Sequence, residues 1–354
     1  MASLIALIER RKSRGLSQGD LALAAGVSRQ AIGAIESGRV QPGVDVAVAI
    51  ARTVGGTVEE FFAGPPGGRF RVEFHSRASR AALAIVEGRL TARPLGADPG
   101  QPEPAGAIVA SLHNGRAELE ALADDRRVAA TVFLAGCEPA LGLLAGHLGT
   151  RAAYGLWFAG SNREALADFT AGRVHASALH GASHELERML HEARRRTMVD
   201  VFELATIEEG WIVADGNPLK LRGARDVQRS GVRIASRAPG SAARTLLDTE
   251  LRRAGISSKD VPGYKSNFAR HADVARAIAY GYADIGVAVA SVADAFKLSF
   301  IPLRAERCVL AVRRSERRHP GVAALVATIR SNEFRRDLGA FGPYDLTRLG
   351  ESLS

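Results

Sequence analysis

Cysteine is nearly missing from this 354-residue chain, which holds only Cys137 and Cys308. Two thiols cannot form a disulfide scaffold, and no Cys-x-x-Cys spacing offers a ready metal or redox pair. Long apolar runs are missing too. None approaches a membrane span, and Arg10-Arg11-Lys12 interrupts the first apolar stretch before a signal peptide can form. A soluble, cytoplasmic protein with no membrane partner is expected. The signatures of common enzymes are also absent: no phosphate-binding glycine loop with lysine, no nucleophile elbow and no His-Glu-x-x-His. Gly160-Ser161 is not flanked as a hydrolase serine would be. The expectation is a non-enzyme, with no catalytic residue, cofactor or resident metal.

What is present is ordinary for a globular α/β protein: 46% apolar residues, 24% charged residues and 37 glycines. The length suggests two or three domains. A net charge of +9 permits nucleic-acid binding. That charge is not gathered at the N-terminus, where Arg10, Arg11, Lys12, Arg14, Arg29, Arg39 and Arg52 face Glu9, Asp20, Glu36, Asp45, Glu59 and Glu60.

Residues 1–63 read as five short helices. Leu4, Ile5, Leu7 and Ile8 give the first an apolar face that Gly15 ends. Ser17 caps the second, Gln18 to Ala25, and Ser28 caps a third with Gly38 at its stop. Val44, Val46, Ala47 and Ile50 form the face of the fourth, and Thr57 caps a last turn closing on Phe61 and Phe62. In the third helix Ile32 and Ile35 share one face, while Arg29, Gln30, Gly33 and Ser37 share the other. Such a helix is built to press a small, polar, cationic surface against a polar partner.

Gly64-Pro65-Pro66-Gly67-Gly68 marks a linker. Residues 70–74 and 82–86 read as strands, the second turning at Gly88 into a hairpin with residues 90–93, and residues 95–105 read as a loop. Strands and helices alternate from residue 106, as in an α/β domain. Val128 to Leu134, Gly155 to Phe158 and Val232 to Ser236 are strands followed by small-residue turns and helices, and such helix N-termini suit anions.

The N-terminal module resembles the phage-repressor (Cro/C1, XRE-type) helix-turn-helix family. Gly15-Leu16-Ser17-Gln18, Ala25-Gly26-Val27-Ser28-Arg29-Gln30, Ile35-Glu36-Ser37-Gly38-Arg39 and Val58-Glu59-Glu60-Phe61-Phe62 carry the likeness. It implies that Arg29 and Gln30 read base edges of operator DNA, with Gln18, Ser28, Gly33, Ser37 and Arg39 completing the DNA face.

Residues 128–345 resemble a type 2 periplasmic-binding-protein domain of the molybdate-binding-protein-like kind. Ala135-Gly136-Cys137-Glu138-Pro139, Gly160-Ser161, Ser236 through Asp248, His271-Ala272-Asp273 and Gly281-Tyr282-Ala283-Asp284-Ile285-Gly286 carry this one. The resemblance implies two lobes joined by crossing strands near Thr206–Val213 and Leu303–Val312, with ligand between them. Gly136, Cys137, Glu138, Ser161, Asn162, Arg237, Gly240, Ser241, Arg244, His271 and Cys308 are the ligand-binding candidates. Cys137 stands where a serine is usual, Ala242-Ala243 where Gly-Thr is, and Cys308 where a tyrosine is common. These exchanges remove hydroxyl donors that a molybdate-type oxyanion wants.

The expected architecture is therefore a helix-turn-helix domain at 1–63, a β-rich linker at 64–105 and a two-lobed domain at 106–354. Lobe I would hold 106–207 and 308–354, and lobe II 208–307. The expected function is a one-component transcription regulator: a homodimer on operator DNA, responsive to a small-molecule or oxyanion effector. The alternative is a regulator sensing thiol redox state or a soft metal through Cys137 and Cys308, with His271 or His180 as further ligands.

Overall fold

A computed structural model of the chain describes residues 2–37, 39–62, 69–96, 103–149 and 153–353. The Gly38 stop, the 64–68 linker and part of the 95–105 loop lie outside these residues. The chain divides into two compact units, Met1–Thr131 and Val132–Ser354.

The first unit opens with helices α1 (Ala2–Ser13), α2 (Gln18–Ala25), α3 (Arg29–Glu36), α4 (Val44–Val54) and α5 (Val58–Phe61). Ser17 and Asp20 form a reciprocal cap at the start of α2, and Gly26 ends it in a left-handed conformation with φ 66°. Ser28 then caps α3, its hydroxyl accepting from Ala31 N at 3.1 Å. Leu7, Leu21, Ile32, Ile35, Ile50, Val54 and Phe61 close the core. Val44, expected on the inner face of α4, is 77% exposed at its first position, and Ala47, Ile50, Ala51 and Val54 are the residues that turn inward.

Strands β1 (Arg69–Glu73), β2 (Arg80–Val86), β3 (Arg89–Pro94), β4 (Ala107–His113) and β5 (Arg116–Ala121) form one sheet in the order β1-β5-β4-β2-β3. Two hairpins in it turn at Glu87-Gly88 and Asn114-Gly115, each with both residues at positive φ, as primed turns require. Helix α6 (Asp125–Ala130) follows, its first turn held by Asp124 accepting from Arg127 N at 2.7 Å. Val128 packs with this sheet's core. Two sequence expectations are corrected here. The α/β unit starts at Val132 rather than at residue 106, because β4 and β5 pair with the supposed linker strands. Residues 128–130 are helical, and the strand begins at Thr131.

The second unit contains β6 (Thr131–Gly136), α7 (Ala140–Gly149), β7 (Tyr154–Ala159), α8 (Asn162–Thr170), β8 (Ala176–Gly181), α9 (Ser183–Arg196) and β9 (Val199–Val213). It continues through β10 (Ile234–Ala235), α10 (Ala242–Arg253), α11 (His271–Ala279), β11 (Ile285–Val289), β12 (Ser299–Arg313) and, after closing helices, β13 (Ser352–Leu353). The sheet order is β10-β11-β9-β12-β8-β6-β7, with β13 also on β9.

Strands β9 and β12 are 15 residues each and pair antiparallel along their length. At one end β12 carries β8, through Arg307–Val312. At the other end β9 carries β11, through Glu209–Val213. The two lobes thus share these two strands, where the sequence placed its crossings. Among the described residues no helix is long and apolar enough to cross a membrane.

Candidate functional site

At the N-terminal unit, Arg29 and Gln30 are exposed in the first turn of α3, while Ile32 and Ile35 are buried beneath. Glu36, on the same helix, is turned inward. It takes two bonds from Arg11, Nε at 2.6 Å and Nη2 at 3.2 Å, and one from Gln18 Nε2 at 2.8 Å. A carboxylate only accepts, so the Gln18 amide nitrogen faces Glu36. Gly33 packs beside it, where a Cβ would lie 4.0 Å from Gln18 Nε2. Ser37 Oγ donates to Ala34 O at 3.0 Å and accepts from Arg39 Nε at 2.9 Å, so Arg39 is held at the far end of α3. Of the polar residues expected on α3, Arg29, Gln30 and Ser37 are exposed and Gly33 is half-buried.

The second cluster sits where β9 and β12 pass between the lobes. Side chains alternate along a strand, so Arg304, Glu306 and Cys308 of β12 share a face. Glu209 lies opposite Arg304, and His180 of β8 lies opposite Cys308. Cys137, directly after β6, completes a row. Its Sγ is 2.9 Å from His180 Nε2, and His180 Nδ1 is 2.7 Å from Glu306 Oε2. Arg304 pairs with Glu306 and lies 3.7 Å from Glu209. Asn162, the first residue of α8, donates to His180 O at 2.6 Å and steadies the end of β8.

From lobe II come Arg237 and His271. Arg237 is 2% exposed; its Nε donates to Phe268 O at 3.2 Å and its Nη2 to Ala269 O at 2.8 Å. Its Nη1, and the Nδ1 of His271, are buried without a hydrogen-bond partner. The ring centroids of His180 and His271 are 6.5 Å apart.

Charge in this cluster is sorted by position. Burial opposes a charged His180 ring, but Cys137 and Glu306 on its two sides outweigh burial and raise its pKa well above the ordinary imidazole range. Burial, with Arg237 and His180 nearby, drives His271 well below that range and keeps it neutral. Burial and the neighbouring Glu306 push Glu209 up to about 8. Burial would raise Glu306 as well, but His180 and Arg304 pull it down and keep it ionised. One carboxyl of the pair is therefore protonated near neutral pH, the usual outcome when two carboxylates share a site.

Other expected ligand residues are placed differently. The Ser161 and Ser241 hydroxyls cap α8 and α10, accepting from Glu164 N and Arg244 N. Arg244 stacks 3.7 Å over the Tyr264 ring and donates to Ser236 Oγ and Arg237 O, both at 2.9 Å, bracing its own lobe. Glu138 is fully buried and accepts from Tyr344 OH at 2.7 Å. Cys308 is fully buried in the apolar core, and burial raises its thiol pKa well above the ordinary value. Gly240 lies under Arg163, whose Nε would be 3.3 Å from an added Cβ. Gly136, at φ 149°, has Ala178 O only 2.8 Å from where a Cβ would stand, so a side chain there would collide with β8.

Glu209 and Arg304 were not singled out in the sequence, and His180 was named only in passing. The available signal was Arg304-Ala305-Glu306-Arg307 and Glu208-Glu209 lying inside largely apolar strands. Both cysteines are free.

The model of the PBP superfamily domain matches residues 147–330, and a helix-turn-helix model matches residues 7–61. The chain is 30% identical over 142 residues to the uncharacterized protein YvgK of Bacillus subtilis (strain 168), covering 40% of this chain and 46% of that one. It thus spans about half the length of YvgK. It is 33% identical over 107 residues to an uncharacterized protein in the ferredoxin 2Fe-2S gene 5′ region of Clostridium pasteurianum, covering 30% of this chain and 95% of that one. Among solved structures, the chain is similar to the sulfate-binding protein SubI from Mycobacterium tuberculosis H37Rv. The TM-score is 0.48 at 12% identity, covering 60% of this chain and 86% of that one.

Proposed function

The chain belongs to the PBP superfamily and carries a helix-turn-helix DNA-binding domain ahead of its ligand-binding fold; from that premise we propose that it is a one-component transcription regulator. Its affinity for operator DNA is set by a small-molecule or oxyanion effector held between the two lobes.

The observation that carries the DNA half is α3. Its exposed first turn presents Arg29 and Gln30, its start is fixed by Ser28, and its inner face is locked by Ile32, Ile35 and the Arg11–Glu36 pair. Arg suits the O6/N7 edge of guanine and Gln the N6/N7 edge of adenine. Ser28, Ser37 and Arg39 hold phosphates, and Gln18, beside Gly33, abuts the reading turn. One such module spans few base pairs, so a homodimer on half-sites about 34 Å apart supplies the affinity.

Arg237 supports the effector half. A buried guanidinium with one nitrogen unbonded is costly until an acceptor reaches it. An acidic or oxyanion effector entering between the lobes supplies that acceptor. The effector changes operator affinity only by as much as it prefers one lobe arrangement over the other. This chemistry needs no catalytic step.

The test is fluorescence anisotropy on operator fragments selected from random-sequence DNA. Arg29→Ala and Gln30→Ala should each weaken the selected site by about 1–3 kcal/mol and relax its sequence preference. Unchanged selectivity in both variants would overturn the assignment of α3. A broad anion and metabolite screen that never alters operator affinity would overturn the sensing half.

A further inference from the structure

We propose that Cys137, His180 and His271 form a binding site for a soft transition-metal ion of the zinc class, and that this ion ties one lobe to the other. One donor atom from each residue lies within 4.8 Å of the other two, and all three residues are buried. Around a tetrahedral ion with Zn–S near 2.3 Å and Zn–N near 2.0–2.1 Å, such atoms stand roughly 3.3–3.6 Å apart. Small side-chain shifts therefore close the set.

Two further observations point to a metal rather than to a chance cluster. His180 Nδ1 is 2.7 Å from Glu306. That carboxylate behind the ring aims Nε2 at Cys137, the arrangement that orients metal-binding histidines. His271 Nδ1, on a residue 2% exposed, has no hydrogen-bond partner. A buried ring nitrogen left unbonded is what a metal ion would use.

A second group of donors, His180, Glu209 and Glu306, also converges. There Arg304 already pairs with the carboxylates, which removes the negative charge a hard cation needs. Arg237 and Arg304 make the whole region unfavourable to an ion held by charge alone, such as Mg²⁺ or Ca²⁺. An ion that bonds strongly to sulfur and imidazole is favoured instead.

The ligands come from both sides of the shared strands. Cys137 follows β6 and His180 lies on β8, in lobe I, whereas His271 opens α11 beside β10 and β11, in lobe II. One ion therefore joins the lobes, and the fourth tetrahedral position is left to water or effector. That an ion fixing the lobes changes operator affinity rests on the function proposed above; the site itself does not.

The probe is Co²⁺, titrated into the full-length chain after chelator stripping. Wild type and Cys308→Ser should show a thiolate-to-cobalt charge-transfer band at one ion per chain, bleached by Zn²⁺. Cys137→Ser should lose the band. His271→Gln should weaken binding at least about 10-fold, and Glu306→Gln should weaken it roughly 10–100-fold while keeping the band. Far-UV circular dichroism checks that each variant folds. Should Cys137→Ser not fold, alkylation decides: Zn²⁺ should protect Cys137 of the wild type from iodoacetamide, as read by peptide mapping. No band in wild type, a band surviving in a folded Cys137→Ser chain, or alkylation indifferent to Zn²⁺ would each overturn the site. Stoichiometric Co²⁺ binding without any change in operator affinity would instead overturn the regulatory link and leave the site standing.

Discussion

His319 sits at the start of the helix Pro320–Ile329, and its Nδ1 accepts from Gly321 N at 3.1 Å and Val322 N at 3.3 Å. A protonated ring cannot accept, and burial lowers its pKa from 6.5 to about 4. Between those values the unfolded chain binds the proton and the folded chain does not, so stability falls as pH drops from about 6.5 to about 4. The loss is at most about 3 kcal/mol. His319→Asn keeps a cap but does not titrate, and urea unfolding of this variant should show a flatter pH dependence across that window. Glu36 is a second residue with an outsized role. Glu36→Ala leaves Arg11 buried without its partner, and a loss of about 3–5 kcal/mol is expected from the urea midpoint. Neither role could be read in the sequence. A glutamate on a short amphipathic helix looks like a solvated residue, and only the fold brings Arg11, 25 positions away, against it.

At the scale of elements, what was legible followed local chemistry. The starts of α2 and α3 came from serine caps and the 3.6-residue rhythm, both of which act within a few residues. The hairpin of β4 and β5 had its signal in Asn114-Gly115, but it was absorbed into an expected run of alternating strands and helices. Val128 looked like the start of a strand because Val128 through Leu134 is almost all apolar. The nearby Asp124 cap decides otherwise. The site was legible only in part for a different reason. Cys137, Asn162, Arg237 and His271 stand at element ends, where motifs are readable. Glu209, Arg304 and Glu306 lie inside paired strands, and a single sequence does not state the register that joins His180 to Glu306 across 126 positions.

At the scale of the molecule, the helix-turn-helix and the PBP-like domain have separate hydrophobic cores. Ligand binding is therefore read most directly as stabilisation of the second unit's unfolding transition. An effector at 100 times its Kd should add about 2.7 kcal/mol to that transition, seen as a rise in Tm. Arg237→Lys keeps the charge but loses the planar fork, so it should abolish the rise for an anionic effector. A full rise in that variant would remove Arg237 from the binding site.

The pairing of β9 with β12 has one more implication. Arg304, Glu306 and Cys308 share a face only because each is separated from the next by one residue. The chemistry of this cluster is thus written in a two-letter reading frame. Deleting Ala305, whose side chain points away from the site, would place Arg304 and Glu306 on opposite faces and break the row from Glu209 to Cys137. Replacing Ala305 with another small residue should do little. In a scan of single-residue changes position 305 should accept small substitutions, whereas deletions should be refused throughout this stretch and changes at Arg307 should be costly, because it pairs with buried Glu203.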